Sequence, residues 1–173
     1  MAVVLSVFIA CSLDGYIADD DGRLDWLDAA AVAEEDYGFD AFLATVDALA
    51  MGRGTYDHIA HLDPLPFGSR PVFVFTHRPP APRPGVTFCS MDPAEARLRW
   101  EQAGLGRVYL DGGHLISAFL DENLVDDLTL TIVPLLLGSG RRLFHPVGRS
   151  TALRLDAVAP FPSGLVNLSY TRR

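Results

Sequence analysis

Two short stretches set glycines and polar side chains at the end of an apolar run. Gly52-Arg53-Gly54-Thr55 follows Ala48-Leu49-Ala50-Met51, and Gly112-Gly113-His114 follows "RVYLD". Each reads either as a tight turn or as an anion site. In the second case the unpaired N–H groups and positive dipole of a helix start face a phosphate, and glycine lets it approach the backbone. Two such junctions, one carrying Arg53 and Thr55, suit a dinucleotide diphosphate gripped between two helix ends. A third run, "PVFVF", ends in Thr76-His77-Arg78, whose hydroxyl, imidazole and guanidinium suit another phosphate or an adenosine ribose. The alternative there is a solvated loop arginine. Neither G-x-G-x-x-G nor G-x-x-x-x-G-K-[ST] occurs, so the sequence does not support an ordinary Rossmann fingerprint or a P-loop.

The elements that must position these residues follow from periodicity. Residues 3–11 are rich in β-formers and read as a buried first strand, and "SLDGYIADDDGRLDW" reads as a turn-rich loop. Tyr37, Phe39, Phe42 and Leu43 predict an amphipathic helix from Ala31 to Thr45. "DALAMG" is a short strand followed by a helix over "RGTYDHIA", and "RPVFVFT" and "VTFCS" are further strands. Asp92 as N-cap and Pro93 at the first position open a helix that ends near Gly104. "RVYLDGGHLISAFLDEN" repeats strand, glycines, helix; "VDDLTLTIVPLLLG" is a strand broken by Pro134. "SGRRLFHPVGRS" is a loop, and the chain closes with two strands around a Pro-Gly turn. Helices separating the early strands and a terminal antiparallel pair predict an α/β fold with a mostly parallel sheet. Residues 1–173 read as a single domain.

Composition narrows the function classes. Among 173 residues, 49% hydrophobic, the formal net charge is −8, which argues against general nucleic-acid or membrane-surface binding. No apolar stretch reaches the roughly 20 residues of a membrane span. "MAVVLSVFIACSLDG" lacks the basic start of a signal peptide, so a cytoplasmic location is expected. Cys11 and Cys89 match no metal spacing and read as buried thiols.

"SLDGYIA", a Trp after an Asp- and Gly-rich loop, "MGRGTYD", "VFVFTHR", "LDGGHLI" and "LTLTIVPLLLGSG" occur in an order that resembles the dihydrofolate reductase superfamily. They are most similar to the reductase domain of bacterial riboflavin biosynthesis (RibD C-terminal type) and its stand-alone relatives. The resemblance covers nearly the whole chain. It implies about eight strands flanked by helices on both faces, NADPH as hydride donor, and a pyrimidine- or pterin-like acceptor. That acceptor is of the kind of 5-amino-6-(5-phosphoribosylamino)uracil or dihydrofolate. Cofactor contacts would fall on Ala10 and Ile17 beside the nicotinamide and on Gly52, Arg53, Gly54 and Thr55 at a phosphate. Further contacts would be Thr76, His77 and Arg78 at the 2′-phosphate, and Gly112, Gly113, His114, Leu115 and Ile116 at the second turn. Trp26 falls on the mobile-loop tryptophan. A homodimer is also implied.

Hydride transfer to C=N or C=O needs a proton as well. The resemblance places a carboxylate on the first helix, supported by a strand threonine matched by Thr131. Glu35 precedes Phe39 by four residues, whereas counting back from Gly52 favours Asp36; otherwise both, with Asp40, are solvated helix charges. Ser12, Asp14, Phe39 and Asp111 fall on the substrate side, with Asp14 alternatively fixing its turn. Asp111 stands where folate enzymes often have a third glycine. Arg23, Arg141 and Arg142 are candidates for a substrate phosphate by count only. No zinc deaminase pattern is present. A second class of function, a catalytically silent nucleotide-binding module, uses the same cofactor residues without turnover.

Overall fold

A computed structural model describes residues 2–32 and 35–173. Its sheet is built from eight strands: β1 (Val4–Ser12), β3 (Ala48–Gly52), β4 (Val72–Phe75), β5 (Val86–Cys89), β6 (Arg107–Asp111), β7 (Asp127–Val133), β9 (Leu153–Pro160) and β10 (Val166–Arg172). The spatial order is β5-β4-β3-β6-β1-β7-β10-β9. The first six run parallel, and β10 and β9 join antiparallel at one edge. A separate ribbon pairs β2 (Tyr16–Ala18) with β8 (Arg141–Arg142). This is the expected α/β, dihydrofolate reductase-like arrangement.

Alternation along each parallel strand feeds two cores, because successive side chains leave opposite faces. On one face Leu5, Val7, Ala50, Val108 and Leu110 meet Ala96 and Trp100 of α4 (Pro93–Gln102) and Ile116 and Phe119 of α5 (Gly113–Asp121). On the other, Leu49, Met51, Val72, Val74 and Tyr109 meet Phe39 and Phe42 of α2 (Phe39–Ala44) and Tyr56 of α3 (Arg53–Ile59). Helices thus cover both faces, which explains why the strands are near-continuous apolar runs. Asp92 caps α4 as expected, its carboxylate accepting from Glu95 N at 2.7 Å.

The stretch before β3 differs from its sequence reading. The helix expected from Ala31 to Thr45 is confined to α2, and residues 33 and 34 lie outside the described residues. Gly38, at φ 83°, precedes α2 in a left-handed conformation, and Asp36 Oδ1 accepts from its N–H at 2.7 Å, a local turn that competes with helix. A separate helix, α1 (Asp25–Ala30), forms where a loop was expected. The ribbon of β2 and β8 likewise lies within segments read as loops.

Candidate active site

The two glycine junctions meet because β3 and β6 are parallel neighbours with Met51 opposite Asp111. That register sets Gly52 beside Gly112 at the carboxyl edge, where ligands of open α/β sheets bind. Gly112 has φ 95°, and a Cβ there would come within 2.6 Å of Thr55 Oγ1. Gly113 is covered by the carbonyls of Arg142 and Leu143, and Gly140 by that of Ala18, so the β2–β8 ribbon crosses directly over the start of α5. Any side chain at these two positions would collide with backbone.

A cleft of about 1160 Å³ opens along this edge. Ala10, Ile17, Gly52, Arg53, Gly54, Thr55, Gly112, Gly113, His114 and Leu115 line it, together with Phe39, Asp111 and Thr131. The cofactor and substrate candidates from six separate stretches of the chain therefore converge on one space. Ile116 does not line it; its side chain is fully buried in the core under α5. Thr76, His77 and Arg78 also lie outside the lining, next to it through Arg53. Arg53 Nε donates to Asp57 Oδ1 at 2.7 Å and its Nη1 to the Arg78 carbonyl at 2.7 Å. Thr76 Oγ1 accepts from Arg78 N at 3.1 Å, and the Arg78 side chain is exposed.

Five other expected site residues lie outside the cleft lining. Leu24, Leu27, Asp28 and Ala31 line the cleft at helical spacing, so α1 turns Trp26 off that face. Glu35 Oε1 accepts from Ser163 N at 2.9 Å, at the turn between β9 and β10, and does not line the cleft. The Ser163 hydroxyl, with Tyr37 assisting, holds its carboxyl below the usual range despite partial burial. Asp36 is exposed in its own turn. Asp14 holds a loop together: Ser12 Oγ donates to it at 2.6 Å, and Leu137 N and Gly138 N donate at 3.1 and 2.7 Å. The Ser12 hydroxyl, then the two amides, keep the Asp14 carboxyl low. Neither Ser12 nor Asp14 reaches the cleft lining.

Asp111 is the carboxylate with an unusual environment in the cleft. Burial raises its pKa from 3.8 to about 6, with the Gly112 amide and the Tyr109 hydroxyl opposing the shift. Tyr109 lies two residues earlier on β6, hence on the same face, and its hydroxyl donates to the Phe8 carbonyl at 2.9 Å. Burial and the neighbouring Asp111 hold the Tyr109 phenol well above its ordinary value. Phe39 packs edge-on against Phe8 and Tyr109, at 5.6 and 6.0 Å between ring centres. Thr131 Oγ1 donates to Asn167 Oδ1 at 2.7 Å, and Asn167 Nδ2 donates to the Tyr37 carbonyl at 2.8 Å, fixing this wall.

Sequence reasoning missed Tyr109, Tyr37, Phe8, Asp28 and His145, all of which line the cleft. Period-two alternation from Asp111 would have found Tyr109. His145 stacks on His114 at 3.7 Å between ring centres, and burial, then the charges of His114 and Arg142, lower its pKa. Nothing local in the sequence announces that pairing across 31 positions. Among the described residues, no group of three or more His, Cys, Asp or Glu side chains is arranged to hold a metal ion, and no helix is long and apolar enough to cross a membrane.

The profile of the RibD C-terminal domain matches residues 3–167. The chain belongs to the RibD C-terminal domain family. Within reach of this family, the chain is 37% identical over 169 residues to the uncharacterized protein YwjB of Bacillus subtilis (strain 168), covering 96% of each chain. A candidate riboflavin biosynthesis protein of Shewanella sp. PV-4 superposes with a TM-score of 0.91 at 34% identity, covering 99% of both chains. Dihydrofolate reductase from Enterococcus faecalis, solved in complex with NADP(H) and RAB-propyl, superposes with a TM-score of 0.67 at 17% identity, over 98% of this chain and 96% of that one. The last likeness is one of fold.

Proposed function

We propose that this protein is an NADPH-dependent reductase, acting as one domain over residues 1–173, that transfers hydride to a small pyrimidine- or pterin-like heterocycle. The observation that carries the reading is the side-by-side meeting of the glycine turns at Gly52 and Gly112, with Asp111 at the second turn, in a cleft that also has an aromatic wall.

The residues present fit a dinucleotide. The amides that begin α3 and α5, brought together where Gly112 packs against Thr55, and the guanidinium of Arg53 suit its diphosphate. Thr76, His77 and Arg78, tied to Arg53 through the Arg78 carbonyl, suit the 2′-phosphate that distinguishes NADPH from NADH. Ala10 and Ile17 supply small apolar contacts for the nicotinamide. When bound, the reduced nicotinamide supplies the hydride.

The chain's own residues do the rest. Phe8, Phe39 and Tyr37 form a wall for a flat ring, and Thr131 fixes it through Asn167. Asp111, with its carboxyl raised to about 6, holds a proton over part of the neutral range and delivers it to the acceptor atom beside the hydride position. Among the described residues, Glu35 and Asp36 are engaged outside the cleft, which favours Asp111 for that task.

Calorimetric titration with NADPH and NADH tests the reading. Preference for NADPH that falls in Arg78→Ala supports it; folded protein that binds neither dinucleotide overturns it. A binding module without turnover would show the same titration and no loss in any rate on Asp111→Asn. The proposal extends to a cytoplasmic homodimer, for which sedimentation should give twice the mass of the chain.

A further inference from the structure

We propose that the hydride acceptor is a planar ring bearing neither phosphate nor carboxylate, laid against Phe8, Tyr37 and Phe39 with a hydrogen-bond-donating edge toward Asp111. This rests on the reductase reading and narrows the acceptor class within it.

The starting point is where the positive charge sits. The chain contains no lysine; all 14 of its Lys and Arg residues are arginines, and the residues outside the described set (Met1, Ala33 and Glu34) are not basic. Most of these arginines are committed to the frame. Arg70 donates to the Val46 and Phe67 carbonyls, and Arg107 to Ser6 and Asp127. Arg97 and Arg172 both pair with Asp126. Arg83 donates to the Ala60 and Leu62 carbonyls, and Arg23, Arg99 and Arg154 pair with acidic neighbours.

Three arginines line the cleft, and all three stand at its glycine end. Arg53 opens α3. The Arg141 guanidinium occupies the space over Gly22 and lies 3.5 Å from a Cβ built on Gly54, at the same helix start. Arg142 stacks over the Tyr16 ring at 4.9 Å while its carbonyl covers Gly113. These cations surround the proposed dinucleotide phosphates.

The acceptor end has the opposite character. Phe8, Leu27, Tyr37, Phe39 and Leu165 make it apolar, and the carboxylates of the cleft lining are Asp28 of α1 and Asp111, with the His58 imidazole also in that lining. A phosphate or carboxylate there would lose water and meet these like charges. A ring edge carrying N–H groups instead satisfies Asp111. The same asymmetry that draws the cofactor's anions to one end repels an anionic acceptor from the other.

The test uses matched ligands that differ in one anionic group: a 5-amino-6-ribosylaminouracil with and without its 5-phosphate, and a 2-aminopteridine with and without a carboxylate. Each is titrated into the intact protein saturated with NADP+ and into the protein alone. The uncharged member of each pair should bind about tenfold or more tightly than its anionic partner. Asp28→Arg, at an exposed position, should narrow or reverse that ratio. Equal or tighter binding of the phosphorylated or carboxylated member overturns the inference, as does binding of neither member of either pair. Failure of NADP+ to bind overturns the reductase reading instead, and the titrations into the protein alone still decide this one.

Discussion

The hydroxyl of Thr55 fills the space in which a side chain at residue 112 would begin, so the starts of α3 and α5 are packed together through a missing Cβ. Gly112 also holds φ 95°, a conformation strained for residues with a side chain. Gly112→Ala should therefore cost about 2–3 kcal/mol in denaturant unfolding and weaken dinucleotide binding. Adding Thr55→Ala should return the steric part and leave the conformational part. Equal losses in the single and double variants would show that backbone conformation alone sets the cost.

Arg53 joins two cofactor loops, because its guanidinium spans the Asp57 carboxylate and the Arg78 carbonyl. Arg53→Lys keeps a charge and loses the planar fork. Calorimetry should show NADPH binding weakened by about tenfold, with little change in unfolding free energy. An affinity equal to that of the wild type would remove Arg53 from the proposed grip.

The raised Asp111 carboxyl makes two pH predictions, one read in rate and one in stability. If it delivers the proton, the rate of hydride transfer should fall as pH rises through about 6, and Asp111→Asn should remove that limb of the profile. For stability, the native carboxyl takes its proton at higher pH than the unfolded chain does. The native state therefore binds more protons between 3.8 and about 6 and loses stability as pH rises across that window. Asp111→Asn should thus stabilise the fold by about 3 kcal/mol at pH 7 and by nothing below about pH 4.

Glu35 has the reverse sign. Its carboxyl is held low by Ser163, so its contribution is present above the ordinary carboxylate range and is lost as pH falls through the lowered value. Glu35→Gln should lower the melting temperature at pH 7, with the difference shrinking in acid, and should leave hydride transfer in place. Loss of turnover in a fully folded Glu35→Gln protein would move the proton donor to that residue.

Most of the sheet and the glycine end of the cleft were legible because both depend on local signals. Apolar runs mark the parallel strands, and Gly52 and Gly112 mark strand-to-helix junctions that register then brings together. The acceptor end was harder to read. Trp26 and Glu35 were placed by resemblance, but α1 presents Leu24, Leu27 and Asp28 to the cleft, and Glu35 lies outside any helix with its carboxylate bonded to Ser163. Tyr109 and Asp28 were accessible in principle through strand alternation and helix spacing. The stack of His145 on His114 and the position of Arg141 over Gly22 depend on how β8 folds back, which is a tertiary event without a local signature.

Gly113 and Gly140 face backbone carbonyls where a side chain would stand, whereas the acceptor wall is made of side chains such as Leu27, Phe39 and Leu165. Divergence can therefore act on the two ends of the cleft at different rates. Descendants of this chain can trade one acceptor for another by substituting wall residues singly, each step leaving a folded protein. Gly113 and Gly140 admit no such gradual path, since a single methyl group at either displaces the main chain. A lineage built on this scaffold would keep its cofactor while its chemistry of acceptors drifts.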